Sequence, residues 1–335
     1  MPSWLQAEDS RLEVAGIAQM PSVRRIKGTI GRLLGRSVRN DHGFDPDIPL
    51  PKISDHALRV AKSVRGENRP PAIIIHGVMP RSGTVYTGEV LRLHPALHAY
   101  PNDIWEIPFL ELTGDVQHMQ RHFFAAYKQN KGKVGDHDFL PLFGAALIAY
   151  LYSFIPEGKR MLLKVPDVQY LQNFYAVFPY ENPLLLMRDG RDVVNSTVNS
   201  WPDRRFDEVC ALWDKSARMM LAFESRYSRN SHPYLSAKYE DVVKNPDGFA
   251  KSACEIYGLD YGPYPGEKIK ELPVRGSSSE VGKDGTQTAW NPVDKPKNFN
   301  PVGRWKDWPD SRKRAFKRIA GQALLETGYS ASLDW

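Results

Sequence analysis

Short apolar runs with little polar alternation recur along the chain, and most are followed by a segment with the spacing of an amphipathic helix. The runs predict strands at 72–76, 161–165, 183–187 and 234–238, and the helical segments lie at 84–93, 168–178, 190–200 and 310–327. Strands without alternation are buried on both faces, which is typical of parallel sheets. The sequence therefore predicts the α/β fold class, with a parallel sheet flanked by helices on both faces.

The first 70 residues lack this pattern and are predicted to form an N-terminal extension, partly helical and basic, ahead of a main domain at 71–335. Within the extension, residues 22–39 hold six basic residues and no acidic one, with apolar residues at helical spacing. This segment fits weak contact with an anionic membrane surface, a cover for the active site, or a solvated helix packed on the domain. The third interpretation is preferred. Residues 273–303, rich in Pro and Gly, are predicted to form a long mobile loop.

Composition restricts the ligand class. The 335 residues carry 45 Lys and Arg against 39 Asp and Glu, a net charge of +6 that suits an anionic ligand but is too diffuse for nucleic acid. The two cysteines, Cys210 and Cys254, lack metal-ligand spacing, so buried thiols in a reducing compartment are predicted. The N-terminus is polar and acidic, and the longest apolar run, 143–155, has 13 residues, short of the roughly 20 that span a bilayer. We therefore expect a soluble, cytoplasmic protein.

Two segments share one plan: an apolar run, a short turn with guanidinium and hydroxyl groups, and a helix start. The first turn lies at 77–86 and the second at 188–196. Free N–H groups and the positive end of the helix dipole converge at such a turn, so each is a candidate anion site. Together they predict a ligand with two separate phosphate groups. Arg191 and Asp192, inside the second turn, are predicted to be internal partners.

The first turn is not a Walker phosphate loop. Counting from Gly77, Ser82 stands where the second Gly of that pattern belongs, and no Lys follows it. A P-loop kinase or NTPase needs that Lys and a Mg²⁺-binding hydroxyl to gather charge on a triphosphate. Arg81, Ser82, Gly83 and Thr84 are suited instead to surround one compact anion.

At these residues the chain resembles the sulfotransferases that use 3′-phosphoadenosine 5′-phosphosulfate (PAPS). Residues 80–84, Pro-Arg-Ser-Gly-Thr, resemble their 5′-phosphosulfate loop, and residues 188–196 resemble their 3′-phosphate motif, with Arg and Ser eight residues apart. Two further stretches, 238–246 and 302–306, follow in the same order. The resemblance implies a P-loop-like sulfotransferase fold, PAPS as donor, adenosine 3′,5′-bisphosphate (PAP) as product, and no metal.

The resemblance also implies how the 5′ end of PAPS is held. Arg81 stands where many members of the family have a Lys, and its role is expected to be electrostatic because Arg does not readily donate a proton. Ser82, Gly83 and Thr84 would supply hydroxyl and backbone donors. Val85 departs from the family, which usually has a second Thr or Ser there.

The implied contacts of the adenine and of the 3′-phosphate come from the matched stretches. They are Tyr86 and Tyr239 beside the adenine, Arg188 and Ser196 as a charge-assisted pair on the 3′-phosphate, and Arg304 and Lys306 closing over it. For the two tyrosines, a place in the core is the alternative. For the last pair, the alternative is full solvation.

The catalytic residues follow from the same resemblance. Lys164 matches the Lys of the Lys-Thr-His motif of cytosolic sulfotransferases, but Pro166 replaces its His. A base must therefore come from elsewhere. Residues 94–109 resemble a stretch of the heparan N-sulfotransferases in which the catalytic Glu precedes Ile-x-Phe, which makes Glu106 the candidate general base. Asp103 is the second candidate, and a surface carboxylate is the alternative for Glu106.

The predicted function is transfer of a sulfonate from PAPS to a hydroxyl or an amine of a carbohydrate or small metabolite. A P-loop-type kinase or NTPase and a non-catalytic nucleotide-binding module are the alternatives. No nucleic-acid partner is predicted, and the sequence does not indicate the oligomeric state. Trp105, Phe109 and Trp201 are candidates to line an acceptor pocket, with a place in the core as the alternative.

Overall fold

One five-stranded parallel sheet lies in the part of the chain that the computed structural model describes, residues 41–227, 232–275 and 300–335. The strands are β1 Ile73–Gly77, β2 Leu97–Ala99, β3 Arg160–Val165, β4 Asn182–Met187 and β5 Leu235–Lys238. Their order across the sheet is β2-β3-β1-β4-β5, and each neighbouring pair is parallel. The central strand places Ile75 beside Lys164 on one side and Leu184 on the other. The carboxyl ends of β1, β3 and β4 therefore meet at one edge.

Helices and short 3₁₀ turns connect the strands. The α-helices are α1 Asp55–Arg65, α2 Thr84–Arg92, α3 Thr113–Ala125, α4 Phe139–Tyr152, α5 Phe174–Val177, α6 Gly190–Ser200, α7 Phe206–Arg226, α8 Tyr239–Lys244, α9 Pro246–Tyr257 and α10 Asp310–Glu326. The 3₁₀ turns are Asp41–Phe44, Pro101–Asp103, Lys128–Asn130, Leu171–Asn173, Gly266–Glu271 and Arg304–Asp307. Among the described helices, none combines the length and the apolar character needed to cross a membrane.

Alternate residues of the buried strands point into two different cores. Ile74 and Leu185 contact the first core, which contains side chains of α4, α6, α7 and α10. Ile73 and Leu184 contact the second, which contains side chains of α2 and α9. Helices thus cover both faces of the sheet, as the unalternated apolar strands predicted. The predicted α/β class is confirmed.

Most predicted elements occur within one or two residues of their expected bounds, and α6 matches its prediction. The helix predicted at 168–178 is wrong. It is replaced by the 3₁₀ turn Leu171–Asn173 and the single turn α5, and Tyr170 before them has a left-handed backbone with a φ of 61°. A non-glycine residue in that conformation interrupts a helix. The three-residue strand β2 was missed because it is too short to show a period.

Two predicted segments fall largely beyond the described residues. The basic helix predicted at 22–39 lies outside them altogether. Of the loop predicted at 273–303, the structure describes only 273–275 and 300–303.

The two cysteines are buried and form no disulfide, and burial raises the pKa of the Cys254 thiol to about 11.

A buried ion pair fixes α1 to the sheet. Arg65, the last residue of α1, donates from Nε to Oε1 of Glu181 at 2.7 Å, and the Arg65 Nη2 atom lies 3.3 Å from Oε2. Glu181 also accepts the backbone N–H of Ala72, just before β1. Burial raises the pKa of Glu181, and the charge of Arg65 opposes that rise. The helix and the sheet belong to one compact unit, His42–Trp335.

Arg65→Met is expected to destabilise the protein by about 3–5 kcal/mol, because it leaves the Glu181 carboxylate buried without its partner. Without Arg65 the pKa of Glu181 in the folded state rises further above its unfolded value. The folded variant then binds a proton that the unfolded chain has released, so its stability falls as pH rises and recovers toward acid pH. Urea unfolding at several pH values measures both effects. Arg59→Met, at an exposed position of the same helix, is the control, and an equal loss there would contradict the assignment.

Candidate active site

A cavity of about 460 Å³ lies at the edge where the strands end. Its lining comes from both predicted turns, from the segment after β2 and from the segments around 275 and 301–304. The lining residues are Pro80, Arg81, Gly83, Thr84, Val85, Tyr86, Trp105, Glu106, Lys164, Pro166, Arg188, Asp192, Ser196, Trp201, Tyr239, Arg275, Pro301 and Arg304. Of the predicted site residues, Ser82, Asp103 and Lys306 do not line it.

The first turn is closed by its own serine. The buried Ser82 hydroxyl accepts the backbone N–H of Met79 at 3.1 Å and donates to the Met79 carbonyl. The Ser82 N–H also donates to that carbonyl, at 3.2 Å. Ser82 therefore shapes the turn from inside, and its neighbour Arg81 is held in a left-handed conformation with a φ of 79° and lines the cavity.

Gly83 allows the turn to lie against Tyr239. Its φ is 91°, and a Cβ built there would lie 2.2 Å from the Tyr239 ring. The helix α2 begins directly after it, and the first N–H groups of a helix have no intrahelical acceptor. Thr84, Val85 and Tyr86, the first residues of α2, line the cavity. The arrangement suits an anion at the helix N-terminus, as predicted for the first turn.

The second turn differs from its prediction. Asp189 is the N-cap of α6 and accepts the Arg191 N–H at 2.9 Å, while both of its oxygens pair with the Arg191 side chain. A carboxylate thus occupies the helix terminus where free N–H groups were expected to face an anion. The cavity instead receives the side chains of Arg188 and Ser196. Arg191 itself lies against the rings of Trp305 and Trp335, at 3.9 and 4.6 Å, in the internal role predicted for it.

Direct hydrogen bonds join the two turns. Arg188 donates from Nη1 to the Arg81 carbonyl at 2.6 Å, and Arg81 donates from Nε to the Ser196 hydroxyl at 3.0 Å. Arg188 also lies over the Tyr239 ring at 4.5 Å and donates from Nη2 to the Pro301 carbonyl at 2.6 Å. Its buried Nε has no hydrogen-bond partner among the described residues. The two turns therefore form one site.

Positive charge is concentrated in this site. Burial, with the nearby charges of Arg188 and Arg304, lowers the pKa of Arg81 to about 10. Asp192, one of the two carboxylates on the lining, accepts the backbone N–H groups of Gly303 and Arg304 at 2.7 and 2.8 Å. Burial raises the pKa of Asp192. Because the guanidinium groups repel one another, an anion placed among them would relieve that repulsion.

The segment after residue 300 contributes one of its two predicted residues. Asp192 holds the backbone of Arg304, whose Nε donates to the Asn300 carbonyl at 2.7 Å, and the side chain reaches the cavity lining. Lys306 is exposed and lies off the cavity.

Tyr86 and Tyr239 meet edge to face at 6.4 Å on the lining, and burial raises the pKa of each phenol.

Glu106 and Lys164 lie together on the cavity lining. The Lys164 ammonium donates to Oε1 of Glu106 at 2.7 Å, and the two residues also form an isolated parallel bridge beside β3. The Lys164 side chain is 4% exposed and that of Glu106 is 51% exposed. A buried cation thus orients a carboxylate that is open to the cavity. Asp103 has a left-handed φ of 58° and is exposed away from the lining.

Two charged lining residues were not predicted from the sequence as members of the site. Arg275 lies with its guanidinium 5.7 Å from the ring of Trp105, in a segment predicted only as loop. Asp192 was predicted as an internal partner of its own turn, whereas it binds the backbone of a segment more than a hundred residues later. Trp105, stacked on Tyr100 at 4.1 Å, and Trp201 line the cavity as proposed. Phe109 packs in the core against Phe178.

The model of the sulfotransferase family, Sulfotransfer_3, matches residues 71–263, more than half of the chain. The chain belongs to the sulfotransferase family. This sulfotransferase is 23% identical over 277 residues to protein-tyrosine sulfotransferase A of Caenorhabditis elegans, an alignment that covers 78% of this chain and 67% of the relative. The family match at 71–263 contains both turns, Glu106 and Lys164.

Solved structures of low sequence identity are also similar to this sulfotransferase. The sulfotransferase domain of the Synechococcus PCC 7002 olefin synthase is 19% identical, with 77% of this chain and 96% of that chain covered and a TM-score of 0.46. Mouse sulfotransferase SULT7A1 in complex with PAP is 14% identical, with 84% and 93% covered and a TM-score of 0.46.

Gly83→Ala is expected to destabilise this sulfotransferase by about 3 kcal/mol or more, since it combines a strained left-handed residue with a collision against Tyr239. Gly132→Ala isolates the first effect, because Gly132 has a φ of 78° and nothing within 4 Å of its Cβ position; it should cost about 1 kcal/mol. Thermal unfolding measures both. Adding Tyr239→Ala should recover the steric part in a double-mutant cycle, and purely additive effects would show that the ring is not the obstacle.

Proposed function

We propose that this sulfotransferase moves a sulfonate from PAPS to a hydroxyl or an amine of a carbohydrate or small metabolite, with Glu106 as general base. The observation that carries the proposal is the meeting of both turns in one cavity through Arg188, Arg81 and Ser196. A nucleotide with phosphate groups at two ends needs two anion sites at a fixed separation. The Glu106–Lys164 pair lies on the same lining. In the proposal this pair serves catalysis, which a site that only binds nucleotide would not need.

The residues present fit PAPS. The buried Nε of Arg188 can donate to an added acceptor, an anion would offset the repulsion between Arg81 and the neighbouring guanidinium groups, and the N-terminus of α2 offers backbone donors beside them. In the proposal, Arg188 and Ser196 hold the 3′-phosphate, with Arg304 above it. Arg81 and the N–H groups of residues 84–86 hold the 5′ end. Tyr86 and Tyr239 are left for the adenine, and Ser82 supports the turn from within.

Bound PAPS would supply an activated sulfonate, and the protein must then position the acceptor and balance charge. Glu106 would take the proton from the acceptor, because it is the carboxylate that lies open on the cavity lining beside a fixed cation. Lys164 and Arg81 would stabilise negative charge as it develops. The pKa of about 10 leaves Arg81 charged near neutral pH, so its part is electrostatic, as the sequence suggested.

The two alternative functions lose support. The kinase or NTPase interpretation lacks the Lys of its loop, and the turn closed by Ser82 belongs to a chain of the sulfotransferase family. A non-catalytic module would have no use for a paired carboxylate and ammonium on the lining. Because the relative in Caenorhabditis elegans is named a protein-tyrosine sulfotransferase, the acceptors to be tested should include the phenol hydroxyl of tyrosine.

PAP is expected to stabilise the protein without added metal, by about 2.7 kcal/mol at a hundred times its Kd. Thermal shift assays with PAP and with ATP plus Mg²⁺ distinguish the donor site from an NTPase site.

Arg188→Met should weaken the affinity for PAP by about 10- to 100-fold, which corresponds to the loss of a charge-assisted hydrogen bond. The exposed Arg204→Met is the matched control. A folded Arg188→Met variant that binds PAP like the wild type would contradict the assignment.

Glu106→Gln should lower kcat by about 10²- to 10⁴-fold while PAP affinity stays close to that of the wild type, because the amide cannot accept the proton. Sulfate transfer from PAPS is measured on a panel of sugars, amino sugars, phenols and tyrosyl peptides. Asp103→Asn, off the cavity, should retain activity. If Asp103→Asn inactivates and Glu106→Gln does not, the base is misassigned. If PAP binds and no acceptor of a broad panel is sulfated, the non-catalytic alternative gains support.

A further inference from the structure

The side of the molecule formed by the end of α3, the turn after it and the start of α4 exposes large apolar side chains. Met119, Phe123, Tyr127 and Phe143 are 40%, 58%, 62% and 40% exposed. We call these four residues, with the neighbouring lysines 128, 131 and 133, the basic aromatic face. Single exposed apolar residues are ordinary, but a contiguous group marks an interaction surface.

Ring contacts connect Phe123 with Phe143 through Phe139. Phe123 contacts Phe139 at a centroid distance of 5.8 Å, and Phe139 contacts Phe143 at 6.3 Å. Phe124, half-buried between the helices, contacts both Phe123 and Phe139, at 5.0 and 5.8 Å. The exposed rings therefore rest on a supporting layer and extend from α3 to α4.

The lysines lie in a loop that folds back along the same helix. The side-chain amide of Gln120 in α3 donates to the Gly135 carbonyl at 2.6 Å and accepts the Phe139 N–H at 3.0 Å. These bonds close the loop 127–135 beside the end of α3. Between Asp115 and Asp136 the sequence has four Lys and Arg residues, two His residues and no acidic residue. The three loop lysines are exposed and form no salt bridge with a described residue.

We propose that the basic aromatic face docks the protein on an anionic lipid surface. Phe, Tyr and Met can insert at the boundary between headgroups and acyl chains, and lysines on long flexible stems reach anionic headgroups beside them. The face consists of residues from the sides of α3 and α4 and from the loop between them. The run of cations without a carboxylate is complementary to negative surface potential. The face is separate from the residues that line the cavity.

The test uses the full chain and sedimentation with two kinds of vesicle, phosphatidylcholine alone and phosphatidylcholine with 30% phosphatidylglycerol. The wild type should bind the anionic vesicles and release them at high salt, as screening requires. Lys128→Glu/Lys131→Glu/Lys133→Glu should lower the partition coefficient at least about a hundredfold, since each lysine is worth about 1 kcal/mol and 1.4 kcal/mol is tenfold. Phe123→Ser/Tyr127→Ser should lower it at least tenfold by removing the inserted rings.

A charge-matched control lies on the opposite side of the sheet. Lys244→Glu/Lys251→Glu/Lys270→Glu changes exposed lysines near α9 and should leave vesicle binding close to that of the wild type. PAP affinity should be unchanged in every variant, which shows that the fold and the cavity are intact. The proposal is overturned if the wild type shows no preference for anionic vesicles. It is also overturned if the control loses as much binding as the face variants, or if binding survives in both face variants. A conversion from dimer to monomer by Phe123→Ser/Tyr127→Ser, with no vesicle binding by the wild type, would assign the face to a second copy.

Discussion

The hydrogen bond from Arg188 to the carbonyl of Arg81 is the contact on which the site depends. It joins the turn after β4 to the turn after β1 at 2.6 Å, and the bond from Arg81 to Ser196 joins them a second time. Each arginine therefore positions the turn of the other. A parallel sheet brings the ends of neighbouring strands to one edge, but only such side-chain contacts turn that edge into a cavity of fixed shape.

Other parts of the chain hold this junction in place. Tyr239, directly after β5, lies under Gly83 and against Arg188, so the edge strand supports both turns. Asp192 fixes the backbone around Arg304, and the rings of Trp305 and Trp335 enclose Arg191 beneath it. The cation-rich cavity is thus enclosed by residues drawn from 81 to 335. Arg188, one of the cations of the cavity, donates to two backbone carbonyls and lies over the ring of Tyr239.

The sequence was most informative where chemistry and local structure are encoded together. Four of the five strands, the helix α6 and the positions of the two turns were predictable, because unalternated apolar runs and short polar turns are local signals. Arg81, Gly83, Thr84, Arg188 and Ser196, which the resemblance had singled out, line one cavity.

The features that escaped prediction depend on distant residues or on backbone geometry. The Ser82 hydroxyl bonds to Met79, and the Asp189 carboxylate caps α6. The sequence alone does not distinguish a side-chain oxygen used in this way from one that contacts a ligand. Arg275 reaches the cavity from a segment without a pattern. The helix expected at 168–178 is interrupted at Tyr170, which is left-handed and whose N–H donates to the carbonyl of Gly43, a contact that no local propensity records.

The carboxylate cap on α6 makes the two turns unequal in how readily they can change. In the proposed function the first turn contacts its anion largely through peptide N–H groups, which persist through every substitution except proline. At the second turn, where Asp189 caps the helix, the proposed contacts to the 3′-phosphate come from the side chains of Arg188 and Ser196. One or two side-chain substitutions at the second turn can therefore change which nucleotide is bound. Binding of the sulfonate end depends instead on the backbone conformation of the first turn.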